Sequence, residues 1–156
     1  MPTDPVVSLT ECNCLALRQA ARHVTQFYDQ HLAPAGLRTT QFSILAKLKR
    51  LGPLTINALA RELVMDRTTL GRNILPLERD GLIAIEDGAS DRRSKELHLT
   101  KAGSERLRAA RKLWREAQTN FEKAFGAERA ASLRSELRAV VAPKLGGATH
   151  PGNMPI

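Results

Sequence analysis

LTINALARELVMDRTTLGRNILPLERDGL, from Leu54 to Leu82, carries two apolar repeats at helical spacing with a short polar break between them. Ile56, Leu59 and Leu63 make one stripe and Leu70, Ile74 and Leu77 the other, on steps of three and four residues. Thr55 and Asp66 stand just ahead of the two stripes, where a side-chain oxygen accepts from the free N–H groups of a first helical turn. Two short helices joined so tightly describe a helix-turn-helix.

The outer face of the second helix has an unusual composition. At about 100° per residue, with the buried direction set by Leu70, Ile74 and Leu77, Thr68 and Arg72 point away from the core. Thr69, Gly71 and Leu75 lie beside them, and Arg67 and Asn73 lie on the flanks. Gly71 costs a helix about 1 kcal/mol relative to alanine, and its bare Cα permits close approach to another surface. Pro76 follows these residues, so its missing donor disturbs the helix behind the outward groups and not among them.

Working outward, Cys14, Leu17, Ala21, Val24 and Tyr28 place a first amphipathic helix from Thr10, its expected cap, to about His31. Pro34 and Gly36 break it, and a second helix runs from about Thr40 to Arg50 through Phe42, Leu45 and Leu48. After Gly81 the pattern shortens: Leu82–Glu86 and Lys95–Leu99 read as strands around the turn-rich DGASDRRS, which makes a hairpin with a basic tip. Thr100 is placed to cap a long helix from Lys101 to about Phe125; Gly126 ends it, and a last helix runs to about Ala142. Residues 1–9 form an N-terminal tail, and residues 143–156 are too poor in apolar side chains to pack and are expected to be disordered.

The chain of 156 residues carries 24 Lys plus Arg against 16 Asp plus Glu, a formal net charge of +8, which favours a polyanionic partner. Only four Phe, one Tyr and one Trp leave few platforms for stacking unpaired bases, which points away from single-stranded RNA and toward a duplex. The start has neither the basic nor the apolar segment of a secretion signal, and no run of 18 apolar residues occurs, so a cytoplasmic location without membrane association is expected. Cys12 and Cys14 are too few and too close for a disulfide framework, and with the histidines they lack metal-ligand spacing. No cofactor is implied.

A face of Thr, Arg, Gly and flanking Asn suits the major groove, where arginine donates twice to guanine, asparagine pairs with adenine and threonine reaches phosphates or a thymine methyl. Arg92, Arg93 and Lys95 at the hairpin suit the narrow minor groove, with Asp91 expected to orient the Arg93 guanidinium. Helix-turn-helix followed directly by a basic hairpin specifies a winged helix: a mainly α fold with a small β-hairpin wing.

The order of two helices, helix-turn-helix, DGLI, a wing containing DRRSKELHLT, and KAG opening a long helix resembles the MarR family of bacterial transcription regulators. The likeness covers about residues 10–142, and Asp91–Gly103 is its most distinctive block. It implies a homodimer on a pseudopalindromic operator, residues 10–36 and 101–142 interlocking as dimerisation helices and residues 37–100 forming the winged helix. It implies base or phosphate contacts from Arg67, Thr68, Thr69, Arg72 and Asn73, with Arg93 in the minor groove. Three amphipathic helices outside the winged helix also carry more apolar stripe than a small lobe can cover, which independently favours a dimer.

Two kinds of switch fit the first helix. Cys14 lies near its N-terminus with Arg18 one turn on, and both favour the reactive thiolate. Tyr28 shares that face about 21 Å along the axis, so it reaches Cys14 only if the first helices of two protomers cross antiparallel. That arrangement resembles the organic-peroxide-sensing branch of the family, whose two further tyrosines are replaced here by Arg18 and Thr39. Cys12 points about 200° from Cys14, so a bond to another chain or a small thiol forms more readily than one between them. A cysteine on an apolar stripe also packs as a small hydrophobe. The competing switch is a small aromatic or carboxylate ligand contacted by Arg18, Arg22 or His23.

The function expected is therefore a sequence-specific, homodimeric repressor released by a ligand or oxidant. A nucleoid-type protein without sequence preference is the alternative. An enzyme with Cys14 as nucleophile is disfavoured, since His23 lies about 180° around the helix and His31 is distant.

Overall fold

The computed structural model describes residues 9–142, so the expectations for residues 1–8 and 143–156 fall outside the described residues. A 3-10 turn at Leu9–Glu11 leads into α1, Asn13–Leu32. Cys12 caps α1 in place of Thr10: the 3-10 turn closes with Cys12 N–H on the Leu9 carbonyl at 3.2 Å, which moves the helix start along the chain. The Cys12 Sγ then accepts the Leu15 N–H at 3.4 Å.

Gly36, at φ 69°, turns the chain from a second 3-10 turn toward α2, Thr39–Leu51. The Asp29 carboxylate ties the two helices together, accepting from the Thr39 N–H at 2.7 Å and its hydroxyl at 2.8 Å. Next come β1, Leu54–Thr55, α3, Ile56–Leu63, and α4, Arg67–Arg79. Thr55 and Asp66 cap α3 and α4, accepting from the Ala58 N–H at 3.1 Å and the Thr69 N–H at 2.8 Å. Pro76 sits inside α4 without ending it, because the helix continues to Arg79.

The wing is β2, Ile83–Asp87, and β3, Lys95–Leu99. Leu82 is outside the strand because its N–H closes the end of α4 on the Leu77 carbonyl at 2.9 Å. The sheet has three antiparallel strands in the order β1-β3-β2, with Leu54 opposite Leu97 and Ile83 opposite Leu99. β1 escapes a pattern reading because two residues show no alternation.

Thr100 caps α5, Lys101–Phe125, by accepting the Gly103 N–H at 3.0 Å, and its hydroxyl donates to the Gly81 carbonyl at 2.6 Å. Gly103 is where α5 crosses the wing root. A Cβ there would lie 2.0 Å from the Leu82 carbonyl oxygen, so no side chain fits. Gly126 separates α5 from α6, Ala127–Val141.

The main core joins α2, α3, α4, the wing and the first half of α5, with Ile44, Leu45, Leu59, Leu70, Leu97 and Leu107 buried. Each such side chain stabilises the fold by about 1.5–3 kcal/mol. Trp114 of α5 stacks on Phe42 of α2 with ring centroids 5.9 Å apart, fixing the long helix to the lobe. Among the described residues no helix is long and apolar enough to cross a membrane.

Candidate nucleic-acid interface

α4 buries Leu70, Ile74 and Leu77 against the core and turns its opposite face outward. Arg67, Thr68, Thr69 and Arg72 are exposed there, and Asn73 is half-buried. The side chains of Arg67, Thr68 and Arg72 make no hydrogen bond or ion pair among the described residues, so their donors are unspent.

Thr69 and Asn73 are differently placed. The Thr69 hydroxyl donates to Asp66 Oδ2 at 2.7 Å, while Asp66 Oδ1 accepts its N–H. These bonds, the side-chain one first, hold the Asp66 carboxyl below its ordinary range. The Asn73 amide Nδ2 donates back to the Thr69 carbonyl at 2.9 Å, so one of its two N–H groups is turned onto the helix. Pro76 has no N–H to offer the Arg72 carbonyl, one turn back, and this is the defect expected from sequence.

The wing tip is organised by its backbone. Gly88 donates to the Ser94 carbonyl at 2.7 Å and Ser94 to the Asp91 carbonyl at 3.1 Å. Asp91 Oδ1 accepts the Arg93 backbone N–H at 2.9 Å. The expected grip of Asp91 on the Arg93 guanidinium is therefore corrected: a carboxylate two residues back reaches the backbone first, as in an Asx turn, and shapes the loop. The Arg92 and Arg93 side chains are left exposed at the tip. Lys95 sits lower, paired with Asp87 across the strands.

At the first helix the candidate residues are scattered. Cys12 is half-buried at the cap, and Cys14 and Arg18 are exposed. Tyr28 is buried, and its hydroxyl donates to Gln118 of α5. Burial, followed by the Glu122 carboxylate, raises the Tyr28 phenol above its ordinary value. Within one chain, then, Tyr28 is committed to packing α1 on α5 and is not brought to Cys14; the partner Gln118 is invisible in sequence because it lies 90 residues away. Thr39 is likewise engaged, by Asp29. Arg18, Arg22 and His23 line no part of the open groove of about 580 Å³ at the α1–α2 junction, whose cationic side chain is Arg38.

One further feature was not legible, and one follows the helical phase. Val64 takes up the left-handed region at φ 52° in the turn between α3 and α4, a position for which sequence usually signals glycine. Leu75, on the outer face of α4, is 63% exposed.

Comparison with known proteins agrees with this geometry. The MarR family profile matches residues 37–95. The Mycobacterium tuberculosis transcriptional regulator MosR is 34% identical, and 87% of this chain and 100% of that one superpose with a TM-score of 0.74. The same regulator in complex with DNA is 36% identical, with 85% and 100% coverage and a TM-score of 0.70. A Bacillus subtilis HTH-type transcriptional regulator, YwoH, is 33% identical over 85 residues, which are 54% of this chain and 61% of that protein, so the chain spans under two thirds of that relative. These relatives are transcriptional regulators and not enzymes. With a fold shared across the whole of MosR and a family profile centred on the helix-turn-helix and wing, the chain belongs to the MarR family of transcription regulators.

Proposed function

We propose that the protein is a homodimeric repressor that occupies a pseudopalindromic DNA operator and leaves it in response to a thiol-oxidising or small-molecule signal. The observation that carries this reading is the pair of unspent basic surfaces: Arg67 and Arg72 on the open face of α4, and Arg92 and Arg93 at the tip of the adjoining wing. α4 enters the major groove with Arg72 and Thr68 reading base edges, Arg67 and Thr69 meeting the backbone and Asn73 at the margin; Arg93 enters the minor groove, with Arg92 and Lys95 near phosphates and Asp91 shaping the loop. DNA bound by the related regulator MosR supports this assignment.

The dimer reading rests on bare apolar surface. Leu133, Leu137 and Val140 of α6 and Leu17 of α1 are each more than a third exposed in the single chain. Residues 10–36 and 101–142 are thus the dimerisation helices, and residues 37–100 the DNA-binding lobe. Two lobes held one helical turn apart on DNA read a palindrome.

For the signal, the Cys12 cap favours oxidation. Its Sγ supports the first turn of α1, and the exposed Cys14 stands two residues on. Joining a thiol to a second thiol releases two protons and two electrons, which reduce a peroxide to water and an alcohol. The bond takes the Sγ acceptor from Leu15 and loosens the start of a dimer helix.

Titration of a selected duplex and of random DNA at several salt concentrations tests the reading. A specificity ratio of about 10³ or more is expected, whereas a nucleoid-type protein binds both alike. Arg72→Ala is expected to relax base preference, and Arg93→Ala to weaken binding evenly across sequences. Peroxide should release wild type and spare the double variant Cys12→Ser/Cys14→Ser, with Cys14→Ser alone showing which thiol responds; equal release of wild type and the double variant would remove the thiols from the mechanism.

A further inference from the structure

We infer that Gly71 and Leu75 form an apolar notch on the outer face of α4 that recognises the C5-methyl group of a thymine. This rests on the DNA-reading role proposed for α4 and goes beyond it by naming a base and the group that reads it.

Leu75 has no task in the fold. α4 meets its core with Leu70, Ile74 and Leu77, exposed to 0%, 2% and 1%, while Leu75 stands 63% exposed on the other side. A lone surface leucine is ordinary. This one is not alone, because Gly71 precedes it by four residues, and residues at that spacing are neighbours on a helix surface. Glycine is the poorest helix former after proline, and nothing in the fold requires it here. A Cβ built on Gly71 meets no atom within 4 Å, in contrast to Gly103, whose Cβ would strike the Leu82 carbonyl. An unneeded glycine beside an unneeded leucine, both on the face that carries Thr68 and Arg72, leaves a recess with one apolar wall.

The polar readers on this helix are also fewer than the residue types suggest. One of the two Asn73 amide N–H groups is taken by the Thr69 carbonyl, and the Thr69 hydroxyl proton goes to Asp66. What α4 presents is the Arg72 guanidinium, the Thr68 hydroxyl and the notch. In the major groove thymine is the base that offers a methyl, and guanine offers the paired acceptors that suit arginine. Leu75 lies three residues beyond Arg72, about 4.5 Å along the axis, so the thymine belongs within one or two steps of the arginine's guanine.

The test uses the full chain and the duplex it selects from a random library. Each thymine of that duplex is replaced in turn by deoxyuridine, which removes only the C5-methyl. At one thymine per half-site, uracil should weaken wild-type binding about fourfold, the value of one buried methyl-sized group. Leu75→Ala should bind the thymine and uracil duplexes alike and should select sequences without a thymine preference at that position. Gly71→Ala should melt at least as high as wild type and yet bind more weakly, because its methyl fills the notch. Uracil without effect at every thymine, or an equal uracil penalty in wild type and Leu75→Ala, would overturn the notch while leaving α4 as the reading helix. Selection that enriches no duplex over random DNA would overturn the operator-binding reading itself, and the notch with it.

Discussion

Leu70, Ile74 and Leu77 in α4 and Leu133, Leu137 and Val140 in α6 have the same spacing, and the structure treats them oppositely. The first three are 0%, 2% and 1% exposed; the second three are 38%, 39% and 43% exposed. α4 lies against α2, α3 and the wing, so its stripe is covered by neighbours from its own chain. In α6 only Ala130 is buried, beside the root of the helix. Periodicity therefore says which face of a helix is apolar, and says nothing about who covers it. The stripe of α4 is closed within the single chain, while that of α6 is left without a cover the chain itself supplies.

The sharpest way to break this contrast is Leu137→Glu. Under the dimer reading two copies of the side chain leave the interface, each having contributed about 1.5–3 kcal/mol. Association should weaken about a hundredfold or more. Sedimentation should report half the mass with helical circular dichroism retained, and an unchanged mass would move the interface away from α6.

Gly103→Ala probes the joint between the two regions. Its Cβ would fall 2.0 Å from the Leu82 carbonyl oxygen and 2.7 Å from Leu99 Cδ1, so α5 must shift off the wing root. A loss of about 3 kcal/mol in urea unfolding is expected. Stability equal to wild type would mean that α5 is not held where the structure puts it.

Smaller effects separate the regions by pH. Tyr28 packs α1 on α5, and Tyr28→Phe should cost about 1 kcal/mol for the lost bond to Gln118. Its phenol is raised above the ordinary 10.0, so its ionisation resists the folded state. That contribution is complete below pH 10 and is lost as pH rises through the raised folded value. Asp66, at the start of α4, works at the other end. Its carboxyl is lowered from the ordinary 3.8, so its contribution is present above that value and is lost as pH falls through the lowered one. Thermal unfolding across pH should show Tyr28→Phe flattening the alkaline limb and Asp66→Asn the acid limb; either variant flattening neither limb would refute the assignment.

The helices, three of the four expected caps and the wing were legible because each is a local pattern, whereas Cys12 took the place of Thr10 at α1. Thr55, Asp66 and Thr100 cap the helices that follow them, and Lys101–Phe125 runs between its cap and its glycine break as the sequence predicts. What was missed depends on distant or backbone partners. β1 exists because Leu54 pairs with Leu97, and Asp91 spends its carboxylate on the Arg93 backbone where a side-chain reading assigned it to the guanidinium. For the interface, exposure of Arg67, Thr68 and Arg72 follows from helical phase alone, whereas the inward turn of the Asn73 amide needed coordinates.

Sequence by itself determined the order of the helices and the wing strands, the outward face of α4 and the excess of positive charge, because caps, turns and helical phase act over a few residues. Only tertiary structure decided that Tyr28 answers to Gln118, that Gly103 is a packing necessity while Gly71 is open, and that the α6 stripe stays uncovered. Those outcomes depend on which surfaces meet after the chain has folded back on itself, and a side chain's own sequence neighbourhood carries no record of what it will meet.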